Sequence, residues 1–178
     1  MSMEQLSTDR WVELFENCRE SAYHLELRDV YGVDSETEQF KRWQQEPYDR
    51  NVEDAESRRW WLDMLGSVTA RGVKVLRARV VSEPVTEYIK FEWAGTTLNV
   101  EAGEDIRWLS RQKASAIAIP GNDFWLFDGR MVIFNHFTGD GGWVGNEVTE
   151  APRVAGLCKT AFEDIWALAT PHSEYKPA

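Results

Sequence analysis

The chain has 178 residues, 43% of them hydrophobic, and a formal charge of −10. The hydrophobic share, with nine Trp and eight Phe, excludes a disordered chain, and the acidity opposes autonomous binding to a polyphosphate backbone. No apolar run approaches the roughly 20 residues of a membrane helix, the polar start has no signal-peptide core, and two cysteines make no disulfide framework, so the expected compartment is the cytoplasm.

Ser7, Thr8 or Asp9 can cap a first helix whose buried stripe is Trp11, Leu14, Phe15, Cys18 and Ala22. Residues 22–31 alternate as a strand, with Tyr23, Leu25, Leu27 and Asp29 on one face and His24, Glu26 and Arg28 on the other. Ser35 and Glu38 form a capping box for a second helix that stops before Pro47. The polar stretch 48–56 reads as a loop, and it divides the chain into an N-terminal helix–strand–helix extension (1–54) and an α/β domain (55–178), the two packed as one unit. A helix over 55–71 buries Trp61, Met64, Leu65 and Val68, and Gly72 ends it. A strand over 73–81 follows, then a helix opened by Ser82 and Pro84, an acidic turn over 101–105, a short strand over 106–109 and a short helix over 114–119. Strands over 123–128, 131–137 and 143–148 are joined by glycine turns at Gly129-Arg130 and over 139–142. Thr149 caps a last helix with Pro152 in its first turn and Val154, Leu157, Cys158, Ala161, Ile165 and Leu168 as its stripe, ended by Pro171. Phe124, Leu126, Ile133, Leu157, Ala161 and Ile165 are expected to share one core. The order predicts an α/β (α+β) fold: a mixed sheet with parallel pairs and a C-terminal antiparallel three-strand meander, flanked by helices.

Few side chains suggest chemistry. His24 with Glu26 on one strand face could bind a proton or a metal, yet His-x-Glu on a strand is a common accident. His136 near a strand end could act as a base, with no Ser or Cys nucleophile close in sequence. Together with Asp128 and Glu101 it makes a candidate catalytic constellation. Glu101, Glu104 and Asp105 read as a solvated acidic loop. The glycines over 139–145 lie between strands, so they do not form a phosphate-cradling loop. No cofactor and no metal ligand set is expected. Residues 58–79 gather Arg58, Arg59, Arg71, Lys74, Arg77 and Arg79 against Asp63 alone. Arg77 and Arg79 share a strand face, and the acidic first helix, with Glu13, Glu16 and Glu20, is their expected partner. Arg77 and Arg79 also join Trp108, Trp125, Trp143 and His172 as candidates for ligand or partner binding, the tryptophans as pocket walls.

The stretch from Arg79 to Pro84, Tyr88, residues 99–105 and 123–128, and the ending Trp166, Ala169, Pro171-His172 and Glu174-Tyr175 resemble a family of actinobacterial proteins with a domain of unknown function, often encoded beside helix-turn-helix regulators. From Val73 on, the element order is similar to one half of the phospholipase D-like fold, degenerate copies of which occur as sensor domains in regulators. The resemblance implies a His-x-Lys-x-x-x-x-Asp motif. With Asp128 at its Asp, the His falls on Gly121 and the Lys on Asp123, so the architecture carries over and the catalysis does not. The resulting expectation is a non-enzymatic regulatory or interaction protein, open to ligand sensing, acting with a helix-turn-helix regulator without touching DNA or membrane itself, and with a homodimer left open. The alternative is a hydrolase or phosphate-ester enzyme built around His136, Asp128 and Glu101.

Overall fold

The computed structural model describes residues 5–32 and 34–178, with the side chains of 34–36 excepted. Helix α1 (Thr8–Asn17) starts where the Ser7 side chain accepts the Arg10 N–H, and it buries Leu14 and Phe15. Strand β1 (Ser21–Glu26) follows, then α2 (Asp34–Gln45), whose proposed capping box at Ser35 lies outside the described side chains. The stretch expected as a loop contains a short helix, α3 (Arg50–Glu53), capped by Asp49. Helix α4 (Arg59–Ala70) buries Met64, Leu65 and Val68 and ends, as its sequence requires, at Gly72 with φ +86°. Then come β2 (Lys74–Val81), α5 (Glu87–Ala94), capped by Thr86, α6 (Thr97–Glu101) and β3 (Asp105–Ser110). The helix expected over 114–119 is instead a single 3-10 turn at Arg111–Ala114. Strands β4 (Asp123–Phe127), β5 (Met131–Phe137) and β6 (Trp143–Thr149) form the meander. Helix α7 (Pro152–Leu168) leads to a two-residue strand, β7 (Thr170–Pro171). Pro171 therefore does more than stop a helix: it sits on the sheet edge, where a missing N–H costs nothing.

One seven-stranded mixed sheet in the order β6-β5-β4-β1-β2-β3-β7 organises the molecule. Strand β1 pairs parallel to β2 and antiparallel to β4, and β2 pairs parallel to β3. Residues 1–54 and 55–178 therefore share the sheet, with β1 at its centre. The β4–β5 turn has Asp128 and Gly129 at φ +50° and +61°, the central positions of a left-handed turn closed by the Arg130 N–H on the Phe127 carbonyl (2.9 Å), one residue earlier than the expected Gly129-Arg130.

Strand alternation gives the sheet two unlike faces. Against α7 lie Leu25, Ala78, Val80, Phe124, Leu126 and Val132, joined by Ala155, Cys158, Phe162, Ile165 and Ala169. The buried stripe of α7 thus runs through the small residues and Phe162. Leu157 is 47% and Leu168 53% exposed, and Ile133 belongs to the opposite face, so the expected single core is corrected on these points. The opposite face carries two apolar clusters. One joins Leu14, Phe15, Leu65 and Val68 to Val75, Trp125, Phe127 and Ile133. The other joins Val81, Ile106 and Trp108 to Tyr88, Ile89, Phe91 and Tyr175. Between them the sheet is polar.

Candidate functional site

The polar strip follows from alternation on four strands. Stepping by two from the apolar Ala22 brings His24 and Glu26 onto this face of β1, and stepping by two from Val75 brings Arg77 and Arg79 onto this face of β2. Register sets His24 beside Arg77 and Glu26 beside Arg79, while Asp123 of β4 lies opposite Asn135 of β5. Arg77 donates to Glu26 (2.6 Å) and to Glu104 (2.7 Å). Arg79 donates to Glu26 and to Glu92 (2.8 Å). Arg50, in the former loop, donates to Asp54 (2.7 Å) and the Phe91 carbonyl (2.8 Å), and reaches Glu92 at 3.4 Å. Asn99 donates to the far oxygen of Glu104 (2.6 Å) and accepts from Arg58. Cation and carboxylate thus alternate from Asp54 to Glu104. Burial alone would raise the Glu26 carboxyl, but Arg79 and Arg77 overcome it and hold the group below its ordinary range. Burial likewise opposes the charge on Arg79, and Glu26 and Glu92 overcome it, so the guanidinium stays charged.

A cleft of about 540 Å³ opens over this strip. Its floor is His24, Glu26, Arg77, Asp123 and Asn135, and its walls include Trp11, Trp60, Tyr31, Tyr88, Phe137 and Trp143. A second cavity of about 500 Å³, lined by Arg50, Arg58, Arg79 and Asn99 among others, shares Thr8, Trp60, Arg77 and Glu92 with it. His24 is 7% exposed and stacks on Trp125 with ring centres 4.1 Å apart. Burial, then Arg77 and Arg79, lower its pKa well below the ordinary value, so the ring is neutral. Its Nδ1 has no hydrogen-bond partner among the described residues, because Glu26 is 3.6 Å away, too far for a hydrogen bond. Asp123 accepts from Tyr31 and from the Leu27 N–H (3.0 Å). Burial, with help from Glu26, pushes its pKa up to about 7.

The proposed catalytic trio is not brought together. Asp128 sits in the β4–β5 turn, and its carboxylate accepts the N–H groups of Arg19, Glu20 and Ser21 and the Cys18 thiol. Burial works to raise its pKa, and the amides of Glu20, Ser21 and Arg19 bring it below the ordinary value. His136 meets Glu147 at 3.1 Å, on the α7 side by strand parity, and Glu101 is exposed at the end of α6. Of the acidic loop, Glu104 is not solvated but buried against Arg77.

Of the binding candidates, Arg77, Arg79, Trp125 and Trp143 lie in or beside the two cavities. Trp108 is buried, stacks on Tyr175 (5.2 Å) and donates to His172 Nδ1 (3.2 Å), so Trp108 and His172 fasten the C-terminal segment. The expected partners Glu13, Glu16 and Glu20 do not pair with Arg77 and Arg79, which hold Glu26, Glu104 and Glu92 instead. It is Arg71 that reaches α1, donating to the Phe15 carbonyl (2.9 Å). Burial, with Asp128 adding for Cys18, pushes both thiols up to about 12, which leaves them unreactive. Among the described residues no cluster of His, Cys, Asp and Glu could hold a metal ion, and no helix is long and apolar enough to cross a membrane.

Sequence reasoning missed Tyr31, Glu92, Asn135 and Arg50 as parts of this site. Only Asn135 carried a signal: the alternation of β5 puts it on the face of Ile133.

Comparisons with known proteins agree with this architecture. The fold is similar to NucT from Helicobacter pylori (TM-score 0.53, 12% identity, 92% of this chain and 89% of that one). It is also similar to TrmBL2, an archaeal chromatin protein whose structure shows a novel mode of DNA binding (TM-score 0.50, 14% identity, 92% of this chain). The chain spans about half the length of TrmBL2. Nuc from Salmonella typhimurium, a phospholipase D family member, matches with TM-score 0.49 and 13% identity over 90% of this chain and 86% of that one. No curated protein matches in sequence. The model of the DUF6879 family, a domain of unknown function, matches residues 9–177, and to that family the chain belongs.

Proposed function

We propose that the protein is a non-catalytic regulatory domain that senses a small ligand in the cleft over β1, β2, β4 and β5. One observation carries this reading: the ionised groups of the cleft floor are spent on one another. Arg77 and Arg79 each hold two carboxylates, and at the two positions where the phospholipase D-like motif would need His and Lys stand Gly121 and Asp123. A phosphoryl group needs a nucleophile and free cations, and this floor offers it neither. What it offers is a walled, mostly preformed cavity of ligand size. The ligand-bound state acts on a helix-turn-helix regulator, the partner suggested by the family resemblance.

The test is an assay with bis-aryl phosphates and with DNA, with and without divalent metal. No turnover is expected. Turnover that follows the protein through purification and disappears in His24→Ala would overturn the reading. Co-purification of a helix-turn-helix protein from the native host, released by Trp60→Ala or Trp143→Ala at the cleft rim, would support the regulatory half.

A further inference from the structure

We propose that the cleft is built for an uncharged, planar, dipolar aromatic molecule that carries both a hydrogen-bond donor and an acceptor. This rests on the ligand-sensing reading above and names the class of its ligand. Three independent features point to it.

The first is the absence of spare charge in the floor. Both oxygens of Glu26 are taken by Arg77 and Arg79; Arg77 also gives its Nε to Glu104, and the two terminal nitrogens of Arg79 go to Thr96 and Glu92. Asp123 receives a donor on each oxygen. A charged ligand would leave water without finding a counter-charge, which is costly; an uncharged one meets no such penalty. The second is His24. Its ring lines the cleft, its Nδ1 is buried without a partner among the described residues, and the ring is neutral, so the ring is suited to a hydrogen bond with a neutral group. The third is the wall. Tyr88, Tyr31, Phe137 and Trp143 form a run of touching rings with centre separations of 6.0, 5.2 and 5.2 Å, a surface suited to a flat aromatic body.

Polarity across the floor adds the dipole. On the β2 side Arg77 and Arg79 make the surroundings of His24 positive, as its lowered pKa registers after burial. On the β4 side Glu26 makes the surroundings of Asp123 negative, again after burial. Tyr31 and Arg28 are the other titratable groups acting on Asp123, and Glu92 of α5 also lines the cleft. A ligand with its acceptor end toward β2 and its donor end toward β4 gains from both fields.

Three indoles of one shape and different charge test the class by titration calorimetry: indole-3-acetamide, indole-3-acetate and tryptamine. The amide is expected to bind at least about tenfold more tightly than the anion or the cation. His24→Phe, which keeps a ring on Trp125, should weaken the amide about tenfold and leave the charged pair unchanged. Trp143→Ala should weaken it as well. Should His24→Phe fail to fold by circular dichroism, His24→Leu takes its place, and the ranking in the unaltered protein decides by itself. Acetate or tryptamine binding as tightly as the amide, with sensitivity to Trp143→Ala, would overturn the uncharged class and leave the ligand-sensing cleft standing. No binding by any of the three at millimolar concentration, or amide binding indifferent to both substitutions, would overturn class and cleft together.

Discussion

The two faces of the sheet are made by the same strands and do opposite things. Toward α7, Leu25, Ala78, Phe124 and Leu126 are wholly buried against Phe162 and Ile165, a packing that leaves no room for a ligand. Toward α1, α4 and α5, the alternate residues of β1, β2 and β4 include the buried His24, Arg77, Arg79 and Asp123 and the partly buried Glu26, with a cleft above them. The comparison teaches that here stability and specificity are laid down residue by residue along the same strand. The apolar face is worth its burial, whereas a buried ionic network roughly repays its own desolvation and fixes geometry instead.

That contrast can be broken at several points. The largest effect is expected from Phe162→Ala, which should cost about 3–5 kcal/mol in urea unfolding, since it opens a cavity under a fully buried ring. On the other face, Glu26→Gln should cost about 3 kcal/mol, because it leaves Arg77 and Arg79 short of their shared carboxylate; a value under about 1 kcal/mol would mean that their existing pairs with Glu104 and Glu92 suffice. Asp123 supplies a pH test. Its folded pKa of about 7 lies above the ordinary 3.8, so the fold holds this proton more tightly than the unfolded chain does. The resulting stability is fully present below about pH 4 and is lost as pH rises through about 7, a decline of about 1–3 kcal/mol that Asp123→Asn should remove. Asp128→Ala should cost about 1–2 kcal/mol by leaving the Arg19, Glu20 and Ser21 amides unpaired, with no change in ligand binding. The smallest effect belongs to Leu157→Ala, within about 0.5 kcal/mol, as expected for an exposed site.

Much of the sheet was legible because alternation is a local signal. The assignment of Tyr23 and Leu25 to one face of β1 and of His24 and Glu26 to the other held, as did the shared face of Arg77 and Arg79. Helix α7 was read partly in phase: Cys158, Ala161 and Ile165 of the expected stripe are buried. Ala155, Cys158, Phe162, Ile165 and Ala169 repeat at intervals of three and four, yet Leu157 and Leu168 were drawn into the stripe by size, although each stays about half exposed. The site was legible only in pieces. Arg50 looks like any surface arginine until Asp54 and the Phe91 carbonyl are folded around it, and Glu104 looks solvated until β2 brings Arg77 to it. Asp54 lies one helical turn from Arg50, but the Phe91 carbonyl lies 41 residues from it and Glu104 lies 27 from Arg77, and no spacing rule connects those. Asp128 shows the opposite error: it was grouped with His136 and Glu101 as a catalytic candidate, whereas its position in a left-handed turn makes it an anchor for three amides.

The place of β1 has a consequence for how the molecule is made. Leu25 ends up paired with Phe124, about a hundred residues later, and Ala22 with Val75, about fifty later. During synthesis this strand is therefore finished long before either neighbour exists, and for that interval it is a half-apolar segment with two open edges. Folding must wait for these distant closures, which places the chain among slow, non-local folders and makes β1 the segment most in need of a chaperone while the rest of the sheet is still emerging.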